Sequence, residues 1–240
     1  MKQLFFAACL FFSLTVAAQK SKTASAKAKK NSISKKNTTK TAEHLVEITT
    51  PYGNIVVKLY NETPLHRDNF IRLVKEGFYD SLLFHRVIDS FMIQGGDPES
   101  RHAADSVVLG EGEAPGERIP AEFNKALFHK KGALAMARDD NPEKTSSNCQ
   151  FYIVQGKPFN DSLLNKIECN IRNSDISFSF TEEQRNIYRT IGGTPFLDQN
   201  YTVFGEVVKG LDVVDKIAAL ATDSNDRPLQ NVRMKVLLLN

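Results

Sequence analysis

The 240-residue chain has no tryptophan, only three cysteines and only four methionines, and these scarcities remove several classes of chemistry. Cys9, Cys149 and Cys169 show no C-x-x-C spacing, so no thiolate zinc site is expected. The five histidines, at 44, 66, 85, 102 and 129, show no H-x-x-E-H spacing, which points to structural or surface roles; no metal is expected. Gly95-Gly96 lacks both the G-x-G-x-x-G spacing and a following helix, which argues against a phosphate cradle. No motif pairs a serine or cysteine with a base, as hydrolysis would require. No apolar run reaches the roughly 20 residues that cross a bilayer.

The longest apolar run, residues 4–16, follows the single charge of Lys2 and precedes the small pair Ala17-Ala18. That is the pattern of an export signal over 1–18, so a cleaved, periplasmic or secreted protein is expected rather than one with a stable membrane anchor. Residues 19–43 have almost no apolar residue and no aromatic, but eight lysines and one acid. Such a segment forms no core and reads as a disordered linker. With no ring to stack on bases it reads as a solvated tether, and no nucleic-acid partner is expected. The basic balance of the whole chain, +3, belongs to this segment, because residues 44–240 carry a net charge of −5.

Residues 44–240 suit one domain with a sizeable core. Val46-Glu47-Ile48 and residues 55–59 flank turn chemistry at Pro51 and Gly53-Asn54, which predicts an opening hairpin. Thr63 as N-cap, Pro64 at the first helical position, Phe70, Leu73 and Val74 at helical spacing, and Gly77 as terminator predict a helix. Residues 98–120, rich in Gly, Pro, Glu and Ser, read as a long surface loop. Strand patterns recur at 132–138 and 147–154. Val213, Val214, Ile217 and Leu220 predict a second helix, and Val232, Met234, Val236 and Leu238 an alternating closing strand.

The stretch Phe84-His85-Arg86-Val87-Ile88-Asp89-Ser90-Phe91-Met92-Ile93-Gln94-Gly95-Gly96-Asp97 organises the rest. Two runs of β-formers flank a turn-prone Asp-Ser pair, which brings Arg86 near Gln94. A guanidinium is a poor general base but a fixed fork of donors, suited to holding oxygens or an electron-rich nitrogen. The segment resembles the central signature of the cyclophilins, the peptidyl-prolyl cis-trans isomerases. Gly132-Ala133-Leu134-Ala135-Met136-Ala137-Arg138 with Ser147 to Val154, and Phe196-Leu197-Asp198 through Val203-Phe204-Gly205, resemble two further cyclophilin motifs in the family's order.

This resemblance implies a mainly β fold: an eight-stranded antiparallel barrel capped by two helices, with the site on its outer face. It implies Arg86 as the catalytic residue, Phe91, Met92, Tyr152 and Leu197 as walls of a proline pocket, and Gln94, Ala137, Arg138, Phe196 and Tyr201 beside the bound peptide. It also implies proline-containing polypeptides as substrates, no cofactor, and a monomer. Tyr152 stands where the family usually has a second phenylalanine, Phe196 where eukaryotic members have a tryptophan, Tyr201 where they have a histidine, and Cys149 where they have a serine. Only weak cyclosporin binding is therefore expected. A rival reading is a proline-binding chaperone module whose isomerase activity is incidental; the intact Arg86 favours the enzyme.

Two features remain open at this level. Export would leave Cys149 and Cys169, an even count that invites pairing, although Cys149 lies in a strand-like block where a free buried thiol is equally natural. Residues 157–195 form an insertion where shorter cyclophilins need only a few residues. Its capping box Thr181-Glu182-Glu183-Gln184 and the spacing of Ile187, Tyr188 and Ile191 predict a helix over about 182–191. Because both ends of the insertion join pocket segments, that helix is expected near the rim of the proline site.

Overall fold

The structure, a computed structural model, describes residues 44–239. The expected export signal, the basic linker and Cys9 lie outside the described residues. The expected hairpin forms from β1 (His44–Thr50) and β2 (Gly53–Leu59), with Gly53 at φ +129° in its turn. After α1 (Pro64–Lys75) come β3 (Phe84–Ile88), β4 (Met92–Gly95), β5 (Ala133–Met136) and β6 (Phe151–Val154). The insertion contributes α2 (Asp161–Arg172) and α3 (Glu182–Thr190), and the chain ends in β7 (Val203–Lys209), α4 (Leu211–Ala218) and β8 (Lys235–Leu239). All pairings are antiparallel, in the order β3-β4-β6-β5-β7-β2-β1-β8.

The sheet curls into a half-barrel because its two ends are stitched together. Ser81 and Phe84 donate to the carbonyls of Met234 and Val232, and Met234 donates back to Leu82, at 2.8–2.9 Å. This corrects the expected closing strand: Val232 and Met234 are buried and alternate as predicted, but they pair with 81–84, and β8 proper begins at Lys235.

Strands β4 to β7 are apolar on both faces. One set (Ile93, Leu134, Met136, Phe151, Ile153, Phe204) fills the barrel against Phe70 of α1 and Ile217 of α4. The alternate set (Met92, Ala133, Ala135, Tyr152, Val154, Val203) forms a second cluster on the outer face. A sheet whose outer face is also dry has something to cover or to bind there.

The start of α1 differs from expectation. Thr63 is at the N-cap, but its hydroxyl makes no capping bond. The Glu122 carboxylate instead accepts from the Leu65 and His66 N–H groups at 3.0 Å and from His66 Nδ1 at 2.6 Å. An acidic side chain from a distant loop satisfies the orphan donors and the positive end of the helix together.

Two helices cap the half-barrel as expected, and the described residues hold four in all. The helix at 182–190 matches its capping box, with Thr181 Oγ1 accepting from the Gln184 N–H (3.1 Å) and Gln184 Oε1 from the Thr181 N–H (2.9 Å). Helix α2 was not anticipated. Asn160 caps it, and Leu164, Ile167 and Ile171 provide the apolar stripe that it turns onto Phe178, Phe180 and Tyr188. Cys169 is exposed on α2 and Cys149 is buried beside β6; both are free thiols, and burial pushes Cys149 up to about 12.

Candidate functional site

A cleft of about 280 Å³ opens on the outer face of the sheet. It is lined by Arg86, Phe91, Met92, Gln94, Ala137, Arg138, Tyr152, Leu197 and Tyr201, together with His85, Leu109, Gly110 and Glu111. Nine of the ten site residues anticipated from sequence therefore share one wall-to-wall surface. The tenth, Phe196, sits outside the lining. The residue is 45% exposed, and its ring rests 5.8 Å from that of Phe91 and 6.5 Å from that of Phe159 of the insertion, on the rim. The volume suits a single small ring with its flanking backbone rather than a nucleotide-sized ligand.

Arg86 reaches the cleft because β3 is bulged. Phe84 pairs with Gly95 while Arg86 pairs with Gln94, so His85 is one extra residue on its strand. Strict alternation would send Phe84 and Arg86 to the same face; the bulge lets Phe84 enter the barrel core while Arg86 faces outward. Arg86 Nε lies 3.5 Å from Asp226 Oδ2, an exposed and weak pairing that steers the guanidinium without consuming its fork. Asp226 is at φ +62°, and its carbonyl accepts from the Val87 N–H at 2.8 Å, which fixes its loop to β3.

Arg138 and Gln94, by contrast, are already committed. Arg138 donates to the carbonyls of Asn200 (2.8 Å) and Asp139 (2.7 Å) and lies 4.9 Å from the Tyr201 ring. Gln94 donates to Gln150, which donates on to the Gly110 and Gly112 carbonyls at 2.8 Å. Among the described residues no cluster of His, Cys, Asp or Glu could hold a metal. The cleft combines an apolar wall with the Arg86 fork, whose donors are not consumed as those of Arg138 are.

The loop segment Leu109-Gly110-Glu111 forms a wall because Asp97, wholly buried, accepts from the Gly110 N–H and from the Glu99 N–H. Asp97 closes the Q-G-G-D run, so part of the signal was in view; its partner thirteen residues away was not. His85, the bulged residue, is 3% exposed, and neither ring nitrogen has a hydrogen-bond partner among the described residues.

Burial lowers His85 to about 4; the Asp97 carboxylate pulls the other way, and Arg86 and Arg227 reinforce the drop. The folded chain thus keeps His85 neutral where an unfolded chain protonates it near the ordinary value of about 6.5. Stability is complete above about pH 6.5 and falls as pH drops toward about 4, by about 3 kcal/mol. Denaturant unfolding of wild type and His85→Asn across that range should show the wild type losing this much more; parallel curves would contradict the assignment.

Comparison with known proteins gives the same picture. Residues 45–237 match the family model for cyclophilin type peptidyl-prolyl cis-trans isomerase. A Staphylococcus haemolyticus protein provisionally named peptidyl-prolyl cis-trans isomerase is 32% identical over 188 residues, covering 78% of this chain and 86% of its own. A Staphylococcus saprophyticus protein with the same provisional name is 34% identical, covering 75% and 83%. The crystal structure of a Cryptosporidium parvum cyclophilin type isomerase shares the fold, with a TM-score of 0.60 at 22% identity, over 83% of this chain and 99% of that one. The same protein in the presence of the dipeptide Ala-Pro gives 0.59 at 22% identity, over 82% and 99%. With its fold, its outer-face cleft and a family match across nearly all the described residues, this chain belongs to the cyclophilin-type peptidyl-prolyl cis-trans isomerases.

Proposed function

We propose that this isomerase acts, as a monomer, on Xaa-Pro bonds of exported proteins and assists their folding by non-covalent stabilisation of the twisted amide. The observation that carries the reading is the uncommitted fork of Arg86 at the lip of a cleft walled on one side by Phe91, Met92, Tyr152 and Leu197. Resonance makes an Xaa-Pro bond slow to rotate, with a barrier of about 18–20 kcal/mol. At the twisted transition state the resonance is broken and the proline nitrogen becomes pyramidal, with a lone pair that can accept a hydrogen bond. Arg86 supplies that bond. Because the planar amide cannot accept it, the interaction lowers the barrier without trapping the ground state. Phe91, Met92, Tyr152 and Leu197 hold the proline ring and exclude water that would favour the charge-separated planar form.

Export rests on the signal pattern at 1–18, and the lysine-rich 19–43 would be a solvated extension at the N-terminus of the cleaved protein. Phe196, on the rim, offers no indole N–H, so cyclosporin should bind at least tenfold more weakly than to tryptophan-bearing members, as one lost hydrogen bond would give. One experiment addresses all three points. Protein recovered from the exported fraction of its host should have a mass starting at Gln19. It should speed a refolding reaction limited by proline isomerisation, leave a proline-free aggregating substrate unprotected, and yield to cyclosporin only at raised concentration. Aggregation suppression without faster refolding would establish the chaperone reading instead, a cytosolic full-length chain would overturn export, and nanomolar inhibition would overturn the Phe196 argument.

A further inference from the structure

We infer that the insertion at 157–195 sets the floor of the proline pocket through a buried chain of side chains, Tyr188–Asp198–His129–Tyr152, which makes Tyr188 and His129 positioning residues for the isomerase. Tyr152 lines the cleft, but its hydroxyl points away, 2.9 Å from His129 Nε2, with the two rings stacked at 12°. His129 Nδ1 lies 2.7 Å from Asp198 Oδ1, and the His129 backbone N–H donates to that oxygen at 2.9 Å. The Tyr188 hydroxyl donates to Asp198 Oδ2 at 2.6 Å. None of the four residues is more than 4% exposed.

The donor inventory fixes the Asp198 end of the chain. A carboxylate only accepts, so His129 Nδ1–H and Tyr188 O–H both donate to it, and His129 Nε2 and the Tyr152 hydroxyl share the remaining hydrogen bond. Both Asp198 oxygens are thereby satisfied, as a buried carboxylate requires. Every member is needed. Remove the Tyr188 hydroxyl and Asp198 Oδ2 loses its partner; remove the Tyr152 hydroxyl and Nε2 is orphaned.

Two pocket residues depend on Asp198. Tyr152 reaches it through His129, and Leu197 precedes it in the chain. The insertion supplies Tyr188 from a rigid base, since its ring lies 5.5 Å from Phe180 and 5.4 Å from Phe128, at the heart of the α2–α3 core. The backbone joins the same residues: Thr194 donates to the His129 carbonyl (2.8 Å) and Lys131 to that of Gly192 (2.9 Å). At Gly193 a Cβ would lie 2.2 Å from the His129 carbonyl oxygen, so only glycine permits this approach. The insertion therefore acts on the site from beneath, besides reaching the rim through Phe159.

The inference rests on the cleft being the proline site, and a double-mutant cycle separates the two. Tyr188→Phe, Tyr152→Phe and the double variant are assayed for kcat and KM on Xaa-Pro peptides, with Arg86→Ala as control and thermal unfolding to confirm folding. Each single variant should lower kcat/KM roughly three- to tenfold, the effect of one hydrogen bond. The double variant should be no worse than the weaker single, because both break one chain. Tyr188→Phe should also shift the His129 ring nitrogen resonances, which loosening of the insertion core alone would leave unmoved. Independent, multiplying losses, or wild-type kcat/KM in Tyr188→Phe, would overturn the relay while loss of activity in Arg86→Ala leaves the site standing. Full activity in Arg86→Ala would overturn the site and the relay with it.

Discussion

Arg86→Ala should lower kcat/KM on an Xaa-Pro peptide by one to three decades, about 1.4–4 kcal/mol of transition-state stabilisation, with the fold intact. The range follows from what is removed. A charge-assisted hydrogen bond is worth about 1.5–3 kcal/mol, and this one forms in a cleft whose other walls are mostly rings and aliphatic side chains. The loss should fall mainly on kcat, since the planar ground state offers the guanidinium no lone pair on nitrogen. The fold should survive because Arg86 is half-exposed and its ion pair with Asp226 is a surface contact worth little. Arg86→Lys should recover only part of the rate, because an ammonium on a flexible stem lacks the fixed fork. Peptide isomerisation kinetics alongside circular dichroism decide the matter: a folded Arg86→Ala variant with wild-type turnover would remove Arg86 from the mechanism.

What could be read before the structure was local. The Asp89-Ser90 turn, the Arg86–Gln94 pairing and the capping box at Thr181 each lie within a few residues of one another, and each is present. What escaped the sequence depends on distant partners or on the parity of a strand. The bulge at His85 changes which face Arg86 occupies, yet F-H-R-V-I reads the same with or without it. Glu122 caps α1 from 56 residues away, and Gln150 holds the Gly110 wall from 40. Helix α2 packs its stripe on Phe178, Phe180 and Tyr188, partners that come later in the chain and are not visible from its own spacing. Tyrosine adds a further ambiguity: at helical or strand spacing it counts as an apolar core residue, and only tertiary structure shows that the hydroxyls of Tyr152 and Tyr188 converge on His129 and Asp198.

The dry outer face of β4–β7 separates the residues that hold the fold from those that form the site, and strand β6 shows the separation within one dipeptide. Phe151 points into the barrel and Tyr152 into the cleft. Phe151 is fully buried among Phe70, Tyr79 and Phe84, at centroid distances of 5.5, 5.5 and 6.1 Å, each edge to face. Phe151→Ala deletes the ring those neighbours share and leaves a cavity that the paired strands cannot close, because β6 is held by β4 on one side and β5 on the other. The cost should be about 3–5 kcal/mol, a large part of a stability that for a domain of this kind is about 5–15 kcal/mol. The same ladders keep Tyr152 in register, so kcat/KM of the folded fraction should stay within about twofold of wild type. Denaturant unfolding should show the midpoint falling with little change in slope, and peptide kinetics well below that midpoint should show the site unharmed. A cost under about 1 kcal/mol would mean that the core collapses around the gap, and a tenfold loss of turnover in the folded state would show that the two faces of β6 are coupled after all.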